Sequence, residues 1–301
     1  MGRAMFTGRF SGAHSLRPID PLILTQSRST FALLILAPLL FATRRSALSV
    51  RKSHVAQFFL LGILGLAGSN YFYYAAIQKT TVATAIVLQY VAPVWVLLYM
   101  FARGRQRPTL QRISGVILAV VGCAFAVGEI AARSSFPWLV LSGVRFDKLG
   151  VIAAELAAIT FAFYNVYGQH LVQLYQRWTV LVYSLLGASA FWILVNPPWK
   201  IAAQHYSSGQ WLFMLVFAIT SMLIPFSLYF AGLQYLDPTR AIVTACLEPV
   251  WAILLTALTI GEGVSPMQVL GIAIVLAATI LVQRPDRKAA GEAVVAVEPI
   301  E

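Results

Sequence analysis

Long apolar stretches, each cut off by a short polar or basic segment, run along almost the whole chain. They predict helices over 22–43, 55–77, 82–102, 110–130, 149–171, 178–196, 210–233, 240–259 and 266–283. Each is close to the roughly 17–25 residues that a helix needs to cross hydrocarbon. Strand-like alternation of apolar and polar positions is missing, so a helical bundle is expected and not a barrel. Most connections are short and leave no room for an inserted soluble domain. The exceptions are the polar start, the 131–148 segment and the tail over 284–301, whose composition reads as disordered.

Composition sharpens this picture. Of 301 residues, 59% are hydrophobic and 11% charged, against about 45–50% apolar in a soluble domain. A net charge of +11 could suggest nucleic acid, but the basic residues lie between the apolar stretches, where membrane topology explains them. Arg44, Arg45, Arg51 and Lys52 fill one loop, "RGRQR" with Arg112 fills another, and the loop between them holds only Lys79. Both basic loops are expected in the cytoplasm, and counting spans onward puts the C-terminal tail there too, as for a protein of a bacterial inner (plasma) membrane. Arg3, Arg9 and Arg17 interrupt the first twenty residues, so no cleavable signal peptide is expected. Cys123 and Cys246 fall inside spans, and no ligand spacing points to a metal or cofactor.

Sliding the chain by 156 residues lays "YYAAIQKTTVATAIVLQYVAPVWVLL" (73–98) on "YFAGLQYLDPTRAIVTACLEPVWAIL" (229–254) without a gap. Pro93-Val94-Trp95 meets Pro249-Val250-Trp251, and Gly115 meets Gly271. A duplication follows. At that offset, span 149–171 has its counterpart around and before Met1, so the expected design is five plus five helices, nine complete here with a partial first helix. The first half-repeat covers 1–130, a connecting segment 131–148, and the second half-repeat 149–283. An odd number of spans per half turns similar halves upside down relative to one another, the arrangement secondary transporters use for alternating access.

Glu248 is the most costly residue in this plan. An ionised carboxylate near mid-membrane costs at least about 2.5–3.5 kcal/mol, so it normally faces a polar cavity, finds a partner or takes up a proton. A coupling proton or a cationic group of a solute would meet it there; a hydrogen bond to Thr244, one turn back, would instead make it structural. Its repeat counterpart is Ala92. Glu155 also interrupts an apolar run, six residues into its span. Arg240 lies two turns before Glu248 on the same face and suits the cytoplasmic interface. Lys79 and Glu262 stand at span ends. Pro93 and Pro249, deep in their spans, are expected to kink them at mid-membrane. Asp237-Pro238 reads as a helix start, with Thr81 as its counterpart.

Asn70, Tyr74 and Gln78 recur at helical spacing as one polar stripe, continued in kind by Gln234. Gln89 and Tyr90 precede the Pro93 kink, and Asn165 stands among tyrosines. With Trp95 and Trp251 as aromatic walls, these groups would suit a small amphipathic organic solute. Each could equally be a hydrogen bond between membrane helices.

The paired helices "TAIVLQYVAPVWVLL" and "RAIVTACLEPVWAILL", the ending "TIGEGVSPMQVLGIAIVLAATIL" and the first-half segment "RPTLQRISGVILAVVGCAFAV" resemble the drug/metabolite transporter superfamily, specifically its EamA-type exporters. The likeness covers about residue 20 to 283. It implies a ten-helix inverted repeat with both termini cytoplasmic, a central cavity, and export of amino acids or other small metabolites, often coupled to protons. Glu248 and Glu262 match acidic positions of the family pattern; Glu155 does not carry over. The chain departs from the family in most of the first helix. Partners are then a small-molecule solute, the lipid bilayer and a coupling proton, with no nucleic acid and no stated oligomeric state. No metal-ligand cluster, nucleophile elbow or phosphate-cradling glycine loop suggests an enzyme. The competing readings are a non-transporting membrane scaffold, or a carrier of another solute class such as a drug cation or a phosphorylated sugar.

Overall fold

The computed structural model describes residues 19–80, 82–132, 147–261 and 263–284. Among these, nine helices are long and apolar enough to cross a membrane: α1 Pro21–Thr43, α2 Lys52–Lys79, α3 Thr84–Ala102, α4 Leu110–Val127, α5 Lys148–Leu174, α6 Arg177–Val195, α7 Ser208–Leu233, α8 Pro238–Thr259 and α9 Pro266–Gln283. Every span expected from the hydropathy pattern is present. The protein is an all-α integral membrane protein. The expected partial first helix, the middle of the 131–148 connection, Thr81, Glu262 and the tail beyond Arg284 lie outside the described residues.

The polar punctuation of the sequence starts the helices. Asp20 accepts a hydrogen bond from the Leu22 amide at the head of α1, and Asp237 accepts one from the Arg240 amide at the head of α8. In both, proline follows at the first helical position, where no amide donor is lost. Ser207–Gln210 and Ser265–Gln268 form reciprocal capping boxes at the heads of α7 and α9.

The duplication shows in the placement of the helices. Starts at Pro21, Lys52, Val82, Ala92 and Leu110 recur at Arg177, Ser208, Pro238, Glu248 and Pro266, each pair 156 residues apart. Two irregularities recur as well. A π-helical segment widens α2 over Leu61–Ala67 and α7 over Ile219–Leu223. The prolines do not merely bend continuous helices. The chain runs as Val82–Gln89 and then Ala92–Ala102, and as Pro238–Ala245 and then Glu248–Ile260. Between the pieces the amides of Val91 and Leu247 reach three residues back, to Leu88 and Thr244, at 3.1 and 3.0 Å. Pro93 and Pro249 thus sit near the start of a new half-helix, a position proline tolerates, rather than inside a helical ladder it would break.

Small residues let the spans close on one another, since lipid offers no hydrophobic drive for association. A Cβ on Gly62 of α2 would strike the Ser184 carbonyl and the Ala188 amide of α6, and one on Gly271 of α9 would strike the Ala126 backbone of α4. Large side chains such as Leu194, Leu228 and Leu258 are turned outward, 82%, 68% and 82% exposed, to be covered by acyl chains.

Loop contacts sort the molecule into two ends. At one end, Gln106 of the α3–α4 loop donates to Asp237 at 3.0 Å, and the Arg240 guanidinium donates to the Val282 carbonyl of α9 at 3.2 Å. His54 at the head of α2 meets the Tyr175 hydroxyl at the α5–α6 junction at 2.7 Å. At the other end, the Asp20 amide donates to the Tyr206 hydroxyl, and Gly150 packs on Lys79 and Thr80. The basic loop residues Arg44, Arg45, Arg51, Arg103, Arg105 and Arg107 all belong to the first end.

Candidate solute site between the spans

Glu248 opens the half-helix Glu248–Ile260. The turn before it and Pro249 after it leave the first amides of that half-helix without carbonyl partners, so the positive end of the helix dipole falls inside the membrane. An acid at that position is locally favourable, which explains the sequence Glu-Pro deep in an apolar run. Its side chain is exposed, although Cys246, Pro249 and Val250 around it are buried. Tyr90, in the turn that interrupts α3, and Arg28 of α1 are the polar groups whose electrostatic influence reaches it. Thr244, the partner considered from sequence, donates instead to the Arg240 carbonyl at 2.8 Å and accepts from Gln283 at 2.9 Å.

Arg28 is held by two contacts. One terminal nitrogen donates to Asn70 Oδ1 at 3.0 Å, and the guanidinium carbon lies 5.8 Å from the centre of the Phe217 ring, within cation–π range. Asn70 is itself fixed by donating to the Leu66 carbonyl at 2.6 Å, inside the π-helical segment of α2. The Nε of Arg28 is buried and has no partner. One turn on from Asn70, the rings of Tyr73 and Tyr74 lie edge to face at 6.2 Å, and both phenols act electrostatically on Arg28. Arg28 from α1, bonded to Asn70 of α2, and Tyr73 and Tyr74 from α2, Tyr90 from α3 and Glu248 from α8 are thus linked electrostatically across four spans. Among the described residues neither Arg28 nor Glu248 has an ion-pair partner in contact.

The other residues singled out from sequence lie elsewhere. Gln78, at the end of the polar stripe, is exposed. Gln89 is half-buried beside Tyr90. Gln234 ends α7, where its carbonyl accepts from Gln173 at 3.2 Å. Glu155 accepts from the Trp95 indole at 3.2 Å, between α5 and α3. Asn165 is fully buried and donates to Tyr229 across the α5–α7 seam. Trp251 is 62% exposed on the outside of α8. Arg240 caps the C-terminal end of α9 and pairs with Asp237 at 3.4 Å.

Arg28 and Tyr73 were not picked out by sequence reasoning. The signal for Arg28 was present: it is the single charged residue in "LILTQSRSTFALLILAPLLFA", and an ionisable group inside a span marks a functional position by default.

Nine long apolar helices among the described residues, two of them interrupted at mid-span, define an integral membrane protein. The EamA-like transporter family model matches residues 7–128 and 148–284, and the chain belongs to that family. An uncharacterized transporter of Archaeoglobus fulgidus is 26% identical over 74% of this chain and 76% of its own length. The uncharacterized inner membrane transporter YicL of Salmonella typhimurium is 24% identical over 89% and 86%. The threonine/homoserine exporter RhtA of Escherichia coli K12 is 27% identical over 72% and 67%. A solved crystal structure superposes with a TM-score of 0.69 at 20% identity, covering 88% of each chain; that likeness concerns the fold alone.

Proposed function

We propose that the chain is a secondary transporter that exports small organic metabolites from the cytoplasm of a bacterial cell by alternating access, with Glu248 as the coupling residue that takes up and releases a proton. The observation that carries this reading is Glu248 itself. Its carboxylate stands at the head of a half-helix in the middle of a span, with the polar groups Arg28 and Tyr90 of other spans acting on it electrostatically. Broken helices with their ends at a central site are what carriers place at the solute position. The half-repeats 1–130 and 149–283 exchange roles between inward-open and outward-open states, with 131–148 as their link. The contacts of Asp237 with Gln106 and Arg112 latch the end that the basic loops assign to the cytoplasm.

Counterflow of labelled amino acids and other metabolites in proteoliposomes tests the reading. Wild type is expected to show solute-dependent exchange, accelerated by a pH gradient, and Glu248→Gln to lose the response to the gradient. Background flux for wild type with every solute would favour the scaffold, and unaltered pH-driven exchange in the variant would remove the coupling role.

A further inference from the structure

We infer that the groove where α1 ends beside the start of α6 is a binding site for an anionic phospholipid. Arg44 and Arg177 take its phosphate, and the leucines of α1 take the upper part of an acyl chain. This goes beyond the transport reading and does not rest on it.

The groove is half-open and holds about 200 Å³. Its lining joins Leu36 and Leu40, buried at 2% and 3% exposure, to Leu39, which is 53% exposed on the outer face of α1. Arg44, Arg177 and Trp178 line the same groove at the end of the bundle that carries the basic loops. Two hydrogen bonds fix the chain there. The Thr179 hydroxyl donates to the Ala47 carbonyl at 2.7 Å and the Tyr183 hydroxyl to the Leu48 carbonyl at 2.8 Å, tying the turn after Arg44 to the first turns of α6. The Arg177 guanidinium carbon lies 5.1 Å from the centre of the Trp178 ring. Among the described residues, neither Arg44 nor Arg177 has an ion-pair partner. Arg45 is engaged differently: its Nε donates to the Phe41 carbonyl at 3.1 Å and its guanidinium covers the Phe41 ring at 4.4 Å.

Two guanidinium groups with no acid between them suit a phosphate, whose oxygens accept parallel bonds from each fork. Gln176 gives α6 no side-chain cap, so the positive end of that helix adds to the same field. A soluble phosphate ester would leave the leucines bare, and a neutral lipid would leave the arginines unmatched. An anionic lipid satisfies both, as basic pockets between spans do for head groups at a cytoplasmic surface, with tryptophan at the same depth. The duplication supplies a comparison inside the molecule. At the offset of 156 residues, Arg177 and Gln176 correspond to Pro21 and Asp20, and Arg44 to Lys200. The equivalent corner at the other end therefore has one cation fewer and an acid, which caps α1. The repeat itself does not call for the arginine pair.

Native mass spectrometry of the purified full chain, from micelles holding equal dioleoylphosphatidylglycerol and dioleoylphosphatidylcholine, gives the test. Wild type is expected to retain the anionic lipid over the zwitterionic one by about tenfold or more. Arg44→Gln and Arg177→Gln should each lose about fivefold of that preference, the worth of one arginine at an anionic surface. Arg177→Lys should keep most of it. Arg45→Gln, which removes the same charge beside the groove, should stay within about twofold of wild type. Soluble glycerol phosphate in large excess is expected not to displace the lipid. If Arg177→Gln does not fold, the exposed Arg44→Gln decides. Equal retention of the two lipids by wild type would overturn the site, and so would an equal loss in Arg45→Gln, which would reduce the effect to surface charge. Displacement by glycerol phosphate would overturn the lipid as the occupant.

Discussion

A polar side chain inside a span has two possible duties, binding a solute or joining helices, and the partner it finds separates them. Asn165 and Tyr229 bond across the α5–α7 seam, the first fully buried and the second packed on Tyr164 and Phe230. Tyr229→Phe strips Asn165 of its acceptor and is expected to cost about 1–3 kcal/mol, the penalty for an unmet buried polar group. Thermal unfolding in detergent should show the loss while the KM for solute stays put. Glu155 is bound to the Trp95 indole, so Glu155→Gln, which keeps an acceptor oxygen, should leave the flux within about twofold of wild type. A selective change in solute affinity would move Glu155 into the site. Glu248 could be picked out from sequence because an acid among apolar residues needs a reason. Arg28 carried the same warning eight residues into its span, hidden by the polar company of "TQSRST" at the start of that helix. Which members of the stripe Asn70–Tyr74–Gln78 turn inward could not be read from spacing, since helical periodicity fixes a shared face and not what that face meets.

The spans themselves were written plainly in the chain, because length and hydropathy in lipid leave helix as the one answer for an unbroken apolar run. What the pattern did not contain was how closely those helices approach. Gly62 lies where α2 crosses α6 with no room for a methyl group, whereas a Cβ on Gly232 near the end of α7 would meet nothing within 4 Å. Gly62→Ala is therefore expected to destabilise by about 1–3 kcal/mol through overpacking, and Gly232→Ala to be neutral or to gain up to about 1 kcal/mol from helix propensity. Melting temperatures of the two variants, measured side by side, check this; equal shifts would contradict the packing. The prolines had signalled an irregularity at mid-span, but the tightened turns at Tyr90–Val91 and Cys246–Leu247 depend on the hydrogen-bond ladder and not on proline alone. The π-helical segments, with no proline inside them, left no mark in the hydropathy at all.

Orientation in the membrane follows from joining the contacts to the charges. The α1–α2 loop meets the α5–α6 junction through His54 and Tyr175, and the α3–α4 loop meets the α7–α8 loop and the end of α9 through Gln106, Asp237 and Arg240. Antiparallel crossings put all of these at one end, which carries most of the loop arginines, against Lys79, Lys148 and Lys200 at the other. An excess of arginine and lysine in short loops holds an end in the cytoplasm, so this end should be cytoplasmic and the Arg284 terminus with it. Cysteine labelling tests the assignment without disturbing the core, because Cys123 and Cys246 are both buried. With a membrane-impermeant maleimide on intact cells, Lys79→Cys is expected to label at once, and Arg105→Cys only after the membrane is opened. The reverse pattern would invert the molecule. It would also place the Asp237 latch outside and contradict the proposed export from the cytoplasm.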